Sequence, residues 1–194
     1  MSQNNASSTI FLDPAQTNVK LGGTFELVVG MNANQEAVAS TDIVVAYDET
    51  KISPILSTKP GDIFPIVQAK ILYPGRLYIY GLQQDPSSAT LGQGVVGTVT
   101  FQTIKSGQTE LRVECNGNKN STHIVRSSDL ADIVDCASTK NHTSTVTIDN
   151  SSVLGTSSQF SNINVIIVFL AILALFFAMY LWSKLFRRKY KINK

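Results

Sequence analysis

Thr24-Phe25-Glu26-Leu27-Val28-Val29-Gly30-Met31 sets Phe25, Leu27, Val29 and Met31 on one side of an extended chain and Thr24, Glu26, Val28 and Gly30 on the other. Successive side chains of a strand point to opposite faces, so this two-residue period predicts a strand with one buried face. The same grammar recurs downstream. Ile43, Val45 and Tyr47 alternate with Asp42, Val44 and Ala46; Val99 and Phe101 with Thr98, Thr100 and Gln102; Leu111 and Val113 with Glu110, Arg112 and Glu114; Val146 and Ile148 with Thr145 and Thr147. Between the runs stand turn signals: Leu21-Gly22-Gly23, Lys59-Pro60-Gly61-Asp62, Tyr73-Pro74-Gly75, Asp85-Pro86 and Lys105-Ser106-Gly107. Short strands at this spacing predict an all-β domain, a nine-stranded antiparallel jelly roll or sandwich. The strands are expected near residues 9–13, 24–32, 38–47, 52–57, 66–72, 76–83, 94–104, 109–114 and 143–148.

Beyond this domain the grammar changes. Ile163 to Trp182 holds no charged residue, and a helix of that length rises about 30 Å, roughly the thickness of a bilayer's hydrocarbon core. The run predicts a single transmembrane helix over 162–183 that contacts membrane lipid. Lys184, Arg187, Arg188, Lys189, Lys191 and Lys194 follow it with no acid among them, so the tail 184–194 is expected in the cytoplasm and the domain outside the cell. Of the 16 Lys and Arg, the other ten face all 14 acids in residues 1–160. The basic pI therefore comes from the tail and does not point to nucleic acid. Residues 1–8 are polar and read as a disordered lead, and 149–161, rich in Ser, Asn and Gly, as a stalk. The domain itself spans 9–148. Met1 to Thr9 lacks the basic and apolar regions of a signal peptide, which places such a segment upstream or already removed.

Two strands depart from the rule of one buried and one wetted face. Along Arg76 to Leu82, Leu77 and Ile79 point one way and Tyr78, Tyr80 and Leu82 the other. Along 38–47 the outer positions are Ser40, Asp42, Val44 and Ala46, small and lightly polar. Water-facing sheet surfaces usually carry long polar side chains. A flat, smooth face with a few polar anchors suits docking of another protein, or else it lies under one of the domain's own loops.

These residues bring out a family pattern. Phe11-x-x-Pro14 precedes Val19-x-x-Gly22 and the alternating Phe25-x-Leu27-x-Val29; then come Ala39-Ser40-Thr41-Asp42-Ile43-x-Val45-x-Tyr47-Asp48 and Lys59-Pro60-Gly61-Asp62-Ile63. Tyr73-Pro74-x-Arg76 and Gly97-Thr98-Val99-x-Phe101 complete the series. In order and spacing the stretch from Ile10 to Ile148 resembles a cohesin domain, the module by which cellulosome scaffolds bind dockerin-bearing proteins. The resemblance implies a nine-stranded jelly roll that grips a dockerin helix on one flat sheet face. It also implies that Asp42 hydrogen-bonds the dockerin, that Tyr73 contributes contacts at the turn between the fifth and sixth strands, and that Asp85 falls near the position of a family acid at the end of the sixth strand. Ser40 occupies a position where dockerin-binding relatives often carry Asn, which sets the partner's identity apart. With Tyr78 and Tyr80 of the apolar strand, these residues form the candidate partner-binding set. The alternatives are a carbohydrate-binding module using Tyr73, Tyr78 and Tyr80 against a polysaccharide, and a structural adhesin or envelope subunit.

Other chemistry has little support. Cys115 and Cys136 bracket a loop that a disulfide would close in an oxidising exterior, stabilising by about 3 kcal/mol in the chain-entropy model; free buried thiols are the alternative. Asp129, Asp132 and Asp135 recur every third residue, the spacing of a solvated helical face with Leu130, Ile133 and Val134 turned inward rather than of a calcium loop. His123 and His142 lack a second ligand at metal spacing, so no metal or other cofactor is expected. Gly92-Gln-Gly94-Val-Val-Gly97 leads into a strand and not a helix, and no nucleophile motif is present, so no enzyme is expected.

Overall fold

The computed structural model describes residues 8–85, 89, 91–139 and 142–150, all within the first of two compact units, 1–153. Ten strands and one short helix follow in order: β1 Thr9–Asp13, β2 Gln16–Lys20, β3 Thr24–Ala46, β4 Ile52–Pro60, β5 Ile66–Tyr73, β6 Arg76–Leu82, β7 Leu91–Thr103, β8 Gly107–Val113, β9 His123–Arg126, α1 Cys136–Thr139 and β10 Thr143–Asp149. The segment Ile163–Trp182, expected to span a membrane, lies outside the described residues, as do 1–7 and all of the expected stalk beyond Asn150. Among the described residues no helix is long and apolar enough to cross a membrane.

β3 organises the sandwich. Its first half pairs with β1 and with β7, which in turn pairs with β4. Its second half pairs with β6 on one edge and with β9 and β8 on the other. The second sheet then runs β2-β10-β8-β3-β6-β5. One chain serves both sheets because it bends between Asn32 and Ala37, where the β7 register shifts and Asn34 and Gln35 adopt φ of 52° and 69°. Asn tolerates that left-handed region better than most residues, and the Asn32 side-chain oxygen accepts the Asn34 N–H at 3.0 Å.

The inner faces meet as the alternation requires. Phe25, Leu27, Val29 and Met31 from the first half of β3 join Ile43 and Val45 from the second, Leu77 and Ile79 of β6, Phe101 of β7, Leu111 of β8 and Val146 of β10 in one core. Phe25 stacks on Phe101, and Tyr47 meets Phe101 edge-on. Gly81 has its place here: a Cβ there would lie 2.5 Å from Phe64, so the glycine lets that buried ring pack directly beneath β6.

Several expectations are corrected. The strands anticipated at 24–32 and 38–47 are one bent strand. Two further strands appear, making ten rather than nine. β2 was missed because in Gln16-Thr17-Asn18-Val19-Lys20 only Val19 is buried, and β9 because only Ile124 is. The sheet is not wholly antiparallel, since β2 runs parallel to β10. Asp149 belongs to β10 rather than to the stalk. The glycines of 92–97 lie inside β7.

The segment 129–135 is not a helical turn. Leu130 is exposed, Asp132 bridges to Val125, and Val134 bridges to Ser8. Its three acids do three local jobs. Asp129 pairs with Arg126 at 2.7 Å, which holds its carboxyl down at about 2. Asp132 bonds His123, and Asp135 accepts the N–H groups of Ala137 and Ser138 at the start of α1.

Candidate docking face

The outer face of the second sheet is read most simply as rows across its strands. The first row is Ile66 of β5, Leu82 of β6, Ser40 of β3 and Val125 of β9; the second is Gln68, Tyr80, Asp42 and His123. The third is Lys70, Tyr78 and Val44, and the fourth Tyr73, Arg76, Ala46 and Arg112. Directly opposed residues share a face, so side chains within a row are neighbours, and successive rows lie roughly 6.6 Å apart.

Asp42 faces outward, opposite in phase to the fully buried Ile43 and Val45. The Tyr78 hydroxyl donates to its carboxylate, and Tyr80 donates in the same way to Gln68. Burial first, then the hydrogen bond and charge of Asp42, push the Tyr78 phenol well above its ordinary pKa. Beside Asp42 stands His123. Burial opposes its charged form, but Asp132 at 2.6 Å from Nδ1, the Asn118 carbonyl at 3.0 Å from Nε2, and Asp42 outweigh this and raise its pKa. Both ring nitrogens thus face acceptors, an arrangement that only the doubly protonated ring satisfies. Lys70 sits 5.0 Å from the centre of the Tyr78 ring.

The face is not uniformly open. Val44 and Ala46, expected on a smooth exposed surface, are buried. Arg76 of β6 reaches Glu114, just beyond β8, at 2.6 Å; β3 lies between those strands, so the ion pair passes over it. Glu114 N–H donates to the Val44 carbonyl and the Thr122 hydroxyl accepts the Val44 N–H, fixing 114–122 along the edge of β3. The domain's own side chains therefore roof the third and fourth rows over β3. The first two rows remain open, with Ile66 39% and Leu82 41% exposed.

Of the six candidate residues, Ser40, Asp42, Tyr78 and Tyr80 come together in adjacent rows. Tyr73 stands apart at the β5–β6 turn, with the Arg76 guanidinium 5.9 Å from its ring centre, and exposed Asp85 follows β6 at the opposite end. Ile66, Gln68 and His123 were missed as site residues, and only strand register brings them to the face; Leu82 was read on the outer side of its strand but not counted in the site. The Tyr78 and Tyr80 rings are tilted 38° to one another and both hydroxyls are engaged, so their faces are not coplanar. Among the described residues no cluster of three His, Cys, Asp or Glu could hold a metal ion. Behind one edge of the face Cys115 and Cys136 are joined by a disulfide, with Cα atoms 5.0 Å apart.

With this geometry in place, the chain can be set beside known proteins. A search of curated proteins found no match. Solved structures share the fold. The sixth cohesin of Acetivibrio cellulolyticus scaffoldin B, solved with a Cel5 dockerin, is 17% identical with a TM-score of 0.58, over 74% of this chain and 99% of that one. The seventh ScaB type I cohesin of Pseudobacteroides cellulosolvens is 16% identical with a TM-score of 0.59, over 76% and 96%. The cohesin module of a Clostridium perfringens family 33 glycoside hydrolase is 17% identical with a TM-score of 0.53, over 74% and 96%. The cohesin-domain family model matches residues 10–146, most of the chain and nearly all of the described sandwich, and the chain accordingly belongs to the cohesin domain family.

Proposed function

We propose that this chain is a non-catalytic binding module that captures a dockerin-bearing protein on the open half of its second sheet. One observation carries the reading: exposed Leu82 and Ile66 lie in a row directly beside the Asp42–Tyr78 and Gln68–Tyr80 pairs, so desolvatable area adjoins fixed polar anchors. The partner would lay an amphipathic helix on these rows, with Asp42 accepting hydrogen bonds and Tyr80 and Leu82 supplying contact area. Two structural relatives are cohesins solved with dockerins, which supports the partner class. Partners concerned with polysaccharide breakdown fit the scaffoldin setting of those relatives.

The display site is part of the same proposal. Ile163–Trp182 would anchor the chain in the membrane by a single span, the basic tail would hold the cytoplasmic side, and 150–161 would act as a short stalk. Deleting 163–182 should move the protein from the membrane fraction to the soluble one; unchanged fractionation would remove the anchor. For the face itself, Asp42→Ala combined with Leu82→Ala should weaken dockerin capture while leaving the circular dichroism of a folded sandwich unchanged. Equal binding by this variant and the native chain would exclude these residues.

A further inference from the structure

The outer face of the second sheet carries different chemistry at its two ends. Its first row is apolar, with Ile66, Leu82 and the partly exposed Val125. Its third and fourth rows carry exposed Lys70 and Arg112, and neither makes an ion pair among the described residues. Exposed Glu110 is the next outward residue to Arg112 on β8, so Arg112 lies beside an acid, and the other cations nearby are paired. Arg76 is held by Glu114, His123 by Asp132, and Arg126 by Glu36 and Asp129. Asp42 accepts from Tyr78. Along β5 and β6 the surface therefore offers apolar area at one end and, at the other, exposed Lys70 over the Tyr78 ring with no ion pair among the described residues.

We infer that the partner's helix lies along β5 and β6 and is polarised to match: apolar side chains cover Ile66 and Leu82, and a carboxylate farther along the helix meets Lys70. This inference rests on the docking reading above. Four residues of strand separate the first row from the third, about 13 Å. A helix laid along the strands covers that distance in roughly nine residues. The acid would thus stand two to three turns from the apolar group. Because the two ends carry different chemistry, a helix docked in the reverse direction would set apolar side chains on Lys70 and a carboxylate on Leu82. The polarity consequently fixes the direction of docking, as unmatched charge against apolar surface costs more than a matched pair gains.

A displayed library of dockerin modules, randomised at exposed helix positions, tests this. It is selected in parallel on the full native chain and on a chain carrying Lys70→Glu, an exposed substitution whose folding is checked by circular dichroism. Native selection should enrich Asp and Glu at one end of the helix and apolar residues at the other. The charge-reversed chain should enrich Lys and Arg in place of the acids, with the apolar set unchanged and an affinity preference on the order of tenfold. Identical sequences from both selections would overturn the polarity but leave docking intact. An empty selection, or binders that a Leu82→Asp chain retains equally, would overturn the docking reading and this inference with it.

Discussion

The two sheets share one strand yet turn very different faces outward. On the first, β3 contributes Thr24, Glu26 and Val28 opposite Gln102, Thr100 and Thr98 of β7, and Glu26 pairs with Lys59 of β4 in the open. That is a surface of hydroxyls, amides and an exposed ion pair, with Ile55 of β4 beside Thr100 as exposed as Leu82 is on the second sheet. On the second, the same strand contributes Ser40 and Asp42 beside Tyr80 and Leu82, with phenols tied to side-chain acceptors and apolar atoms left bare. A sheet face meant only for water gains nothing from exposed Leu and Ile held next to rigid aromatics. What sets the two faces apart is the pair of phenols fixed to side-chain acceptors beside bare apolar atoms, and the proposed docking face is the one that carries them.

The comparison can be broken most forcefully at the disulfide. Cys115→Ala with Cys136→Ala releases a loop with a sequence separation of 21 on the docking-sheet side. It should cost about 3 kcal/mol in the chain-entropy model, read as a fall in denaturant midpoint. Next in size is Leu82→Asp, which should weaken partner binding by about 2 kcal/mol, roughly 30-fold, whereas Thr100→Asp on the first sheet should change it little. Glu114→Ala would strip the ion pair that crosses β3 and leave Arg76 half-buried without its acid. A loss of about 1–3 kcal/mol is expected, together with new exposure of Val44 to solvent that amide exchange would detect.

The smallest effect is set by pH. The folded-state pKa of His123 is raised above its ordinary value, so its contribution to stability is fully present below about pH 6.5 and is lost as pH rises through the raised value. The native chain should therefore melt progressively lower across that window relative to His123→Gln. Parallel melting curves for the two proteins would show that the Asp132 pair contributes nothing.

Much of this was legible in the residues, and what was not has identifiable causes. The outward phase of Asp42 followed from Ile43 and Val45, because a two-residue period admits only one assignment of faces. The match between Ile66 and Leu82 did not follow. The β5–β6 register shifts between Ile71 and Tyr73, and without that extra residue Val67, not Ile66, would oppose Leu82. No local pattern announces such a bulge. The roof over Val44 depends on residues 76 and 114, far apart in sequence and joined only once β8 and β6 flank β3. Asp129, Asp132 and Asp135 misled for the opposite reason: their regular spacing comes from three separate local bonds, to Arg126, to His123 and to the start of α1.

The central claim is that the second sheet, and not the first, takes a dockerin. Isothermal titration calorimetry of the full chain against dockerin modules from the organism that makes it tests this directly, with Leu82→Asp and Thr100→Asp titrated alongside. The account predicts saturable one-to-one binding that Leu82→Asp reduces at least about 30-fold and Thr100→Asp leaves unchanged. Binding lost through Thr100→Asp, or equally strong in all three proteins, would contradict it.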